Sequence, residues 1–294
     1  MPDKPPDRHH FGRFGPGVPV SHGAEPVAEF LVRPVVSLAE FRACVAIQEE
    51  VWGAGFVDVV SASVLQIASH IGGIVLGAFT PTGAIVGFVA GFTGFKDGRP
   101  LHWSHMLGVR EVARNAGVGR MLKERQRGEL KRMGIPEMQW TFDPLVAKNA
   151  HFNLNRLGAC VTEYVRDMYG NTGSMLHGTV SDRIIVSCPT NIECVERSDA
   201  RLTDPEDPFL TTILQPRDLA RNDRSERPPK VWIEIPHDIA SVIAESPGTA
   251  AMWRLAVRGH FEWALGNGYT VTGFSCDPAT SRAFYKLERE HVKR

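Results

Sequence analysis

The stretch that decides the fold is His102-Trp-Ser-His-Met-Leu-Gly-Val109, followed after four residues by Arg114-Asn-Ala-Gly-Val-Gly-Arg-Met-Leu122. An extended, mostly apolar segment enters a loop with two glycines, Gly117 and Gly119, and an amphipathic helical pattern begins directly after them. Glycine lets a backbone approach a ligand closely, and the first N–H groups of a helix, with its dipole, favour an anion. This order of strand, glycine loop and helix is typical of a diphosphate site, although it also suits a tight turn that binds nothing.

Two common phosphate motifs do not fit the loop. No Gly-Lys-Ser/Thr follows it, as a P-loop requires. It holds only two glycines and follows several strands, whereas a dinucleotide fingerprint opens the first βαβ unit. The spacing Leu107-x-Val109-x4-Arg114-x2-Gly117-x-Gly119 instead resembles the acyl-CoA-binding signature of the GNAT acetyltransferase superfamily, Arg/Gln-x-x-Gly-x-Gly/Ala.

Composition excludes several classes of protein. The 294 residues are 43% hydrophobic, which supports a folded core, and Lys+Arg balance Asp+Glu at 33 each. This neutral balance lacks the basic surface of a nucleic-acid binder. The N-terminus has no apolar signal region, and the longest apolar stretch is too short for a membrane span. We therefore expect a cytoplasmic protein that binds neither nucleic acid nor a membrane, with its five cysteines reduced.

The pattern along the chain predicts the element order β-α-α-β-β-β-α-β-α-β-β over Phe30 to Ser187. A capping box, Ser37-Leu-Ala-Glu40, begins the first helix. The helix after the glycine loop is predicted over Gly119 to Met133, with Lys123 among its outward residues. A strand, a crossover helix and a second strand give a parallel pair, whereas the flanking hairpins are antiparallel. The predicted fold class is therefore α/β with a mixed sheet, and this is also the GNAT order.

We predict four segments: a disordered tail (1–28), a GNAT domain (29–188), a linker (189–229) and a C-terminal strand–helix–strand extension (230–294). The extension repeats Gly134, Asp143 and Pro144 at Gly268, Asp277 and Pro278. One interpretation is a degenerate second GNAT half that has lost its glycine loop. The other is that helix, Gly, strand and Asp-Pro are common punctuation in α/β proteins.

The resemblance implies a cosubstrate, acetyl-CoA or another acyl-CoA, and no metal. The backbone of Leu107 and Val109 would pair with the pantetheine arm, and Asn149 would help to anchor that arm. The N–H groups of the glycine loop would hold the diphosphate, along Arg114, Asn115, Ala116, Gly117, Val118, Gly119 and Arg120. His102 and His105 are not a metal pair, since residues three apart on a strand point to opposite faces.

The catalytic groups are less well marked. His105, four residues before Val109, could remove the proton of an amine as a neutral imidazole, or could be an ordinary sheet histidine. Many GNAT enzymes protonate the leaving thiolate with a tyrosine, but the corresponding place here holds Leu154. His151, Tyr164 and Tyr169 remain as replacements, and Tyr169 is our candidate.

The predicted function is transfer of an acetyl or another short acyl group from CoA to the amine of a small molecule, with amino acids among the acceptors considered. Arg183 could bind a carboxylate of such an acceptor. The alternative is a catalytically reduced GNAT-fold protein that binds CoA or a protein partner. A homodimer is one assembly that the resemblance allows.

Overall fold

A computed structural model describes residues 30–170, 181–191, 211–214, 228–277 and 280–289. The predicted tail, 1–28, and most of the predicted linker, 189–229, lie outside the described residues. Within them, no helix combines the length and apolar composition needed to cross a membrane. The same residues contain no group of three or more His, Cys, Asp or Glu side chains that could hold a metal ion.

The first unit has the predicted order of elements. They are β1 (Leu31–Pro34), α1 (Leu38–Trp52), α2 (Ala62–His70), β2 (Ile74–Phe79), β3 (Ile85–Lys96), β4 (Arg99–Val109), α3 (Val118–Arg132), β5 (Glu137–Phe142), α4 (Ala147–Ala150), β6 (Cys160–Val165) and β7 (Arg183–Pro189). A π-helical segment, His151–Arg156, continues α4. Helix α3 begins one residue earlier than predicted, because Gly117 in the left-handed conformation serves as its N-cap.

The seven strands form one mixed sheet in the order β1-β2-β3-β4-β5-β7-β6. Strands β4 and β5 are parallel, and the other neighbours in this sheet are antiparallel. Helices α1 and α2 cover one face around Phe41, Leu65 and Phe88. Helices α3 and α4 cover the other face around Leu122 and Trp140. This is the mixed α/β sheet with helices on both faces that the sequence predicts.

The first helix shows how local sequence fixes an element. Ser37 Oγ accepts a hydrogen bond from the N–H of Glu40, and the Glu40 carboxylate accepts one from the N–H of Ser37, so the predicted capping box is present. Arg33 Nη2 lies 2.7 Å from Glu40 Oε1. This hydrogen-bonded guanidinium lowers the pKa of Glu40 to about 2. The N-terminus of α1 is thereby tied to strand β1.

The C-terminal unit contains the predicted strand, helix and strand, together with further elements. Its members are β8 (Thr211–Leu214), β9 (Lys230–Pro236), α5 (Ile239–Glu245), α6 (Pro247–Gly266), β10 (Tyr269–Asp277) and β11 (Arg282–Arg289). The sheet order is β10-β11-β9-β8. Strand β11 separates β9 from β10, whereas the corresponding β4 and β5 are direct neighbours. The two strand–helix–strand frames therefore differ in topology, which argues against the second-half interpretation.

The two units share one core. Buried residues of the first unit, such as Trp140 and Leu154, belong to the same apolar cluster as Phe261, Phe274 and Tyr285 of the second. Tyr164 stacks on Phe261 with ring centroids 5.1 Å apart. The second unit is therefore part of the packing that supports the first.

The cysteines differ in one respect from the expectation of five reduced thiols. Cys44, Cys160 and Cys276 are free, whereas Cys188, at the end of β7, is disulfide-bonded. Burial raises the pKa of the Cys44 thiol to about 12, so this thiol stays protonated and packs as a small apolar side chain.

Candidate active site

The site is organised by an incomplete ladder between β4 and β5. These strands pair only at His102↔Met138 and Trp103↔Gln139. Beyond this point β4 continues to Val109 and β5 to Phe142 without pairing to each other. We call the space between residues 104–109 and 140–142 the fork. It leaves backbone donors and acceptors on the facing edges for a ligand that carries amides.

The hydrogen bonds of β4 show which residues face the fork. The N–H of Arg110 donates to the carbonyl of Val86 on β3 at 2.8 Å. Backbone groups alternate in direction along a strand, so those of Val109 and Leu107 point away from β3, toward the fork. Arg114 Nε also reaches the carbonyl of Val109, at 3.3 Å. The residues predicted to pair with a pantetheine arm therefore present their backbones at the expected edge.

A bulge in β4 marks the inner part of the fork. Ala90 pairs with Met106 and Gly91 pairs with Ser104, so His105 is left without a partner. A bulge of this kind changes the face of the sheet toward which the side chains after it point. Ser104, before it, contacts α3, whereas Met106, after it, belongs to the core under α1 and α2.

The glycine loop joins the outer end of the fork to α3. Asn115 and Gly117 have positive φ angles of 63° and 76°. Gly117 is the N-cap and has no side chain to accept from the helix, so the first N–H groups of α3 are not capped from within. Ala116 is exposed beside them. Residues 114–120 therefore form a concentrated set of backbone donors at a helix N-terminus, as an anion site requires.

Asn149 lies on α4, shortly after β5 ends. Its backbone N–H donates to Val146 at 2.9 Å, and its residue is exposed. Its side-chain amide has no hydrogen-bond partner among the described residues. The contact of this amide with the cofactor arm stays a prediction.

The two predicted catalytic residues lie on one face of the sheet, on opposite sides of the fork. Counting two residues onward from Trp103↔Gln139 places His105 level with Thr141. The hydroxyl groups of Tyr169 and Thr141 are 3.3 Å apart. His105 lies beside Phe92, with ring centroids 5.7 Å apart. The structure therefore places His105 on β4 and Tyr169 beside β5, on opposite sides of the fork.

The surroundings of His105 favour its neutral form. Desolvation lowers its pKa below the ordinary value, and the nearby carboxylate of Asp58 partly opposes this shift. Asp58 belongs to the connection between α1 and α2. A histidine that is neutral near pH 7 can accept a proton.

The other candidate acids have different roles. The Tyr164 hydroxyl donates to Asp182 Oδ2 at 2.6 Å, and burial beside this carboxylate raises the Tyr164 pKa. This tyrosine is therefore held protonated as part of the core. Leu154, at the place of the family's tyrosine, is 1% exposed and packs in the core. His151 lies on the π-helical segment beside Asn155, with their side-chain nitrogens 3.3 Å apart.

Arg183 is a buried cation next to Tyr169. Its Nη1 donates to the carbonyl of Asp182 at 3.0 Å, and its guanidinium lies 5.3 Å from the centroid of the Tyr169 ring. No carboxylate among the described residues forms a salt bridge with it. Burial lowers its pKa from the ordinary value. The carboxylates of Asp143 and Asp182 lie near enough to oppose part of this shift.

The sequence predicts that Lys123 faces outward from α3, and this prediction is wrong. It is 4% exposed, and its Nζ donates to Ser104 Oγ at 2.8 Å. Ser104 also donates to Gln126 Oε1 at 2.7 Å, and Gln126 Nε2 lies 3.1 Å from His102 Nε2. The charge of Lys123 suggested an exposed side chain. The polar residues His102 and Ser104 on β4 could have indicated the opposite, because buried polar groups need hydrogen-bond partners and α3 is the helix that covers them.

Two arginines of α6 support the β5 side of the fork, and the sequence patterns did not indicate them. Arg254 forms a buried two-pronged ion pair with Asp143, which directly follows β5, at 3.1–3.3 Å. Arg258, one turn later, donates from Nε to Asp182 Oδ2 at 2.8 Å and from Nη2 to Asp167 Oδ2 at 3.2 Å. These pairs fix the segment before Asn149 and both ends of the connection that carries Tyr169.

No protein-family model matches the sequence, and no curated protein matches it. Several solved structures are similar to this chain. An acetyltransferase of the GNAT family from Streptococcus pneumoniae is 18% identical, with a TM-score of 0.45, and the match covers 55% of this chain and 99% of that chain.

Two further solved structures are similar over the same extent. A GNAT superfamily phosphinothricin acetyltransferase from Sinorhizobium meliloti, in complex with acetyl-CoA, is 16% identical, with a TM-score of 0.44 and coverage of 60% and 97%. The ribosomal-protein-S18-alanine N-acetyltransferase from Escherichia coli is 16% identical, with a TM-score of 0.43 and coverage of 59% and 99%. Identities and scores this low assign no activity to this chain, so its function is argued from its own residues.

Proposed function

We propose that this protein is an acyl-CoA-dependent N-acyltransferase. The observation that carries this proposal is the fork between β4 and β5, whose outer end leads directly to the uncapped N-terminus of α3. A thioester arm with amides pairs with the backbone of Leu107 and Val109, and its diphosphate binds the N–H groups of residues 114–120. The arm then enters the fork with its acyl end directed toward the bulge at His105.

The proposed reaction is direct attack by an amine. The amine nitrogen forms a bond to the thioester carbonyl carbon, and the bond from that carbon to sulfur breaks. The neutral imidazole of His105 accepts the proton that the amine loses. The hydroxyl of Tyr169 protonates the leaving thiolate. Holding both reactants in the fork supplies the proximity that an uncatalysed aminolysis lacks.

The acceptor is proposed to be a small-molecule amine that also carries a carboxylate, as amino acids do. Arg183 supports this choice, because it is a buried cation beside Tyr169 and forms no salt bridge within the described residues, although the carboxylates of Asp143 and Asp182 are near it. A guanidinium binds a carboxylate with two parallel hydrogen bonds. The variant Arg183→Met should raise KM for an amino acid more than for the decarboxylated amine.

Release of free CoA thiol, measured with acetyl-CoA and longer acyl-CoAs across a panel of amino acids and their decarboxylated amines, tests the proposal. Turnover with at least one donor and one acceptor is expected. A protein that binds no CoA would overturn the proposed site.

A second candidate function is CoA binding without transfer, alone or for a protein partner. It is favoured by Leu154, since this buried side chain leaves the π-helical segment without the tyrosine that many GNAT enzymes use. Tight binding of CoA without turnover on any acceptor would select this function over the first.

A further inference from the structure

A cavity lies behind the fork, between α3, β5, the end of β7 and the π-helical segment. Its volume is about 370 Å³. The lining consists of four basic side chains, one acidic side chain and an apolar remainder: Arg120, Lys123, Arg127 and Arg156, Glu124, and Met138, Trp140, Leu157 and Cys188. Glu124 accepts a hydrogen bond from Arg120 Nε at 2.7 Å. The one acidic group of the lining is thus already paired.

Lys123 is the central feature of this cavity. It is almost completely buried, and its Nζ lies 3.9 Å from the centroid of the Trp140 ring. No carboxylate of the described residues forms a salt bridge with it. A buried ammonium group without an anion is costly, and desolvation lowers the pKa of Lys123 well below its ordinary value. An anion in the cavity would remove this cost.

Arg127 adds a second cation without an acidic partner among the described residues. Its Nη1 lies 3.9 Å from the sulfur of Cys188, a weak contact for a guanidinium. Arg127 is four residues after Lys123, so both side chains project from one side of α3. Together they direct two cations at a cavity with an apolar floor formed by Met138 and Trp140.

The position of this cavity separates it from the proposed acyl-CoA site. Lys123 and Arg127 lie about one and a half and two and a half turns further along α3 than the first helical residue. Met138 and Cys188 pair with each other on β5 and β7, at the end of β5 where its ladder with β4 is closed. The two sites share Arg120, and Trp140, which lines the cavity, also borders the fork.

We propose that this cavity is a second ligand site, which binds a small molecule carrying phosphate or carboxylate groups. The anionic groups contact Lys123 and Arg127, and the body of the ligand lies against Trp140. A ligand bound here touches α3, whose N-terminus belongs to the proposed diphosphate site, and β5, which forms one side of the fork. It is therefore placed to influence the acyl-CoA site.

Calorimetric titration of the full chain with inorganic pyrophosphate and with citrate tests the proposal, in the absence and in the presence of saturating CoA. Binding of either anion at both CoA levels is expected. The anion that binds identifies phosphate or carboxylate as the preferred group. Binding of neither anion, or displacement of the anion by CoA, would contradict a separate site.

The variants are Lys123→Met and Arg127→Gln, with Arg125→Gln as the matched control on the same helix. Arg125 pairs with Glu129 at 2.8 Å on the exposed side of α3. Arg127→Gln should weaken anion binding at least tenfold and Arg125→Gln less than twofold. Arg127 is only partly buried, so its variant keeps the test valid if Lys123→Met does not fold. Equal affinities of Arg127→Gln and Arg125→Gln would place the anion elsewhere.

Discussion

Gly117 is the residue on which the proposed diphosphate site depends most directly. It has φ of 76°, and a side chain at this position would meet nothing within 4 Å. Asp at this position would set a negative charge beside the diphosphate, whereas Asn tolerates the same backbone conformation without a charge. We expect Gly117→Asp to raise Kd for acyl-CoA at least tenfold more than Gly117→Asn, as measured by calorimetry.

Gly128→Asp is the control for this experiment. It introduces the same charge into the same helix, where a side chain would also meet no neighbour within 4 Å. It lies about two and a half turns beyond the N-terminus, so its effect on Kd should stay within twofold. Equal losses in the two Asp variants would mean that the glycine loop does not hold the diphosphate.

His105 gives the proposed reaction a pH dependence. Its pKa lies below the ordinary value of about 6.5, so the neutral form persists to lower pH than in a free histidine. We expect kcat/KM to fall only as the pH drops through this lowered pKa. In His105→Gln this acid limb should be absent and the rate at neutral pH reduced about 100-fold or more. An unchanged acid limb in the variant would assign it to another group.

His102 gives the fold its own pH dependence. Burial, with the nearby Lys123, lowers its pKa to about 4. The unfolded chain takes up a proton on this ring below about pH 6.5, whereas the folded chain resists until about pH 4. The free energy of unfolding should therefore rise with pH across this window, by about 3 kcal/mol from this residue.

Urea unfolding at several pH values measures this contribution. The slope between pH 4 and 6.5 should be smaller in His102→Asn than in the natural sequence. Since Thr93 Oγ1 and Gln126 Nε2 both bond to the His102 ring, the variant will also be less stable at neutral pH. Parallel pH profiles for the two proteins would contradict a buried neutral His102.

At the level of elements, α6 acts as a support for the active site. Arg258 bonds to Asp182 and Asp167, which flank the connection that carries Tyr169. We expect Arg258→Gln to lower kcat or raise KM for the acceptor at least fivefold, because Tyr169 and Arg183 lose their fixed position. KM for acyl-CoA should change less than twofold, since the glycine loop does not touch α6 in the described contacts.

Arg166→Gln is the matched control for α6. Arg166 pairs with Glu262 of the same helix at 2.8 Å, but both side chains are largely exposed, at 61% and 39%. Exposed ion pairs contribute about 0–1 kcal/mol, so this change should leave both KM values nearly unaltered. Identical kinetics for Arg258→Gln and Arg166→Gln would show that the buried pair has no positioning role.

Elements with a local signal were predictable from the sequence. Three such elements are the capping box at Ser37, the end of α3 at Gly134 and the glycine loop between Val109 and Gly119. In each of them the residues that cause the structure lie within a few positions of one another. The inward position of Lys123 was not predictable in this way, since its partner Ser104 lies 19 residues away. The bulge at His105 also breaks the regular alternation of faces along β4, so the sequence alone does not show that Ser104 faces α3.

Two further features, a buried ion pair and a strand, were not predicted from the sequence, for different reasons. Asp143 and Arg254 are 111 residues apart, and neither neighbourhood indicates a buried ion pair. Strand β11 was missed because its buried residues, Ala283, Phe284, Tyr285 and Leu287, are not confined to alternate positions. A strand covered on both faces lacks the period of two by which strands are recognised.

For the whole molecule, the shared core predicts a single unfolding transition. Tyr285 donates to the carbonyl of Pro144 at 2.7 Å, and Asn155 donates to that of Phe274 at 3.0 Å, in addition to the Asp143–Arg254 pair. Tryptophan fluorescence and far-ultraviolet circular dichroism should therefore report the same urea midpoint. Two separated midpoints would show that the units unfold independently.

A chain that ends at residue 229 extends this test. It exposes the surface that Phe261 and Tyr285 now cover and leaves Asp143 buried without Arg254. Loss of one partner of a buried ion pair costs about 3–5 kcal/mol, a large part of the stability of a domain. We expect this chain to be aggregated or unfolded by size-exclusion chromatography, and a soluble monomer with native circular dichroism would contradict the shared core.

The short ladder between β4 and β5 has a consequence for amide hydrogen exchange. The N–H groups of Leu107 and Val109 face the fork, so in the unliganded protein they exchange with solvent although they belong to a central strand. A bound acyl-CoA arm would accept from them and slow their exchange, whereas the N–H of Arg110, already bonded to β3, would keep its rate. The exchange pattern of Leu107, Val109 and Arg110 would thus report occupancy of the site before any acceptor is known.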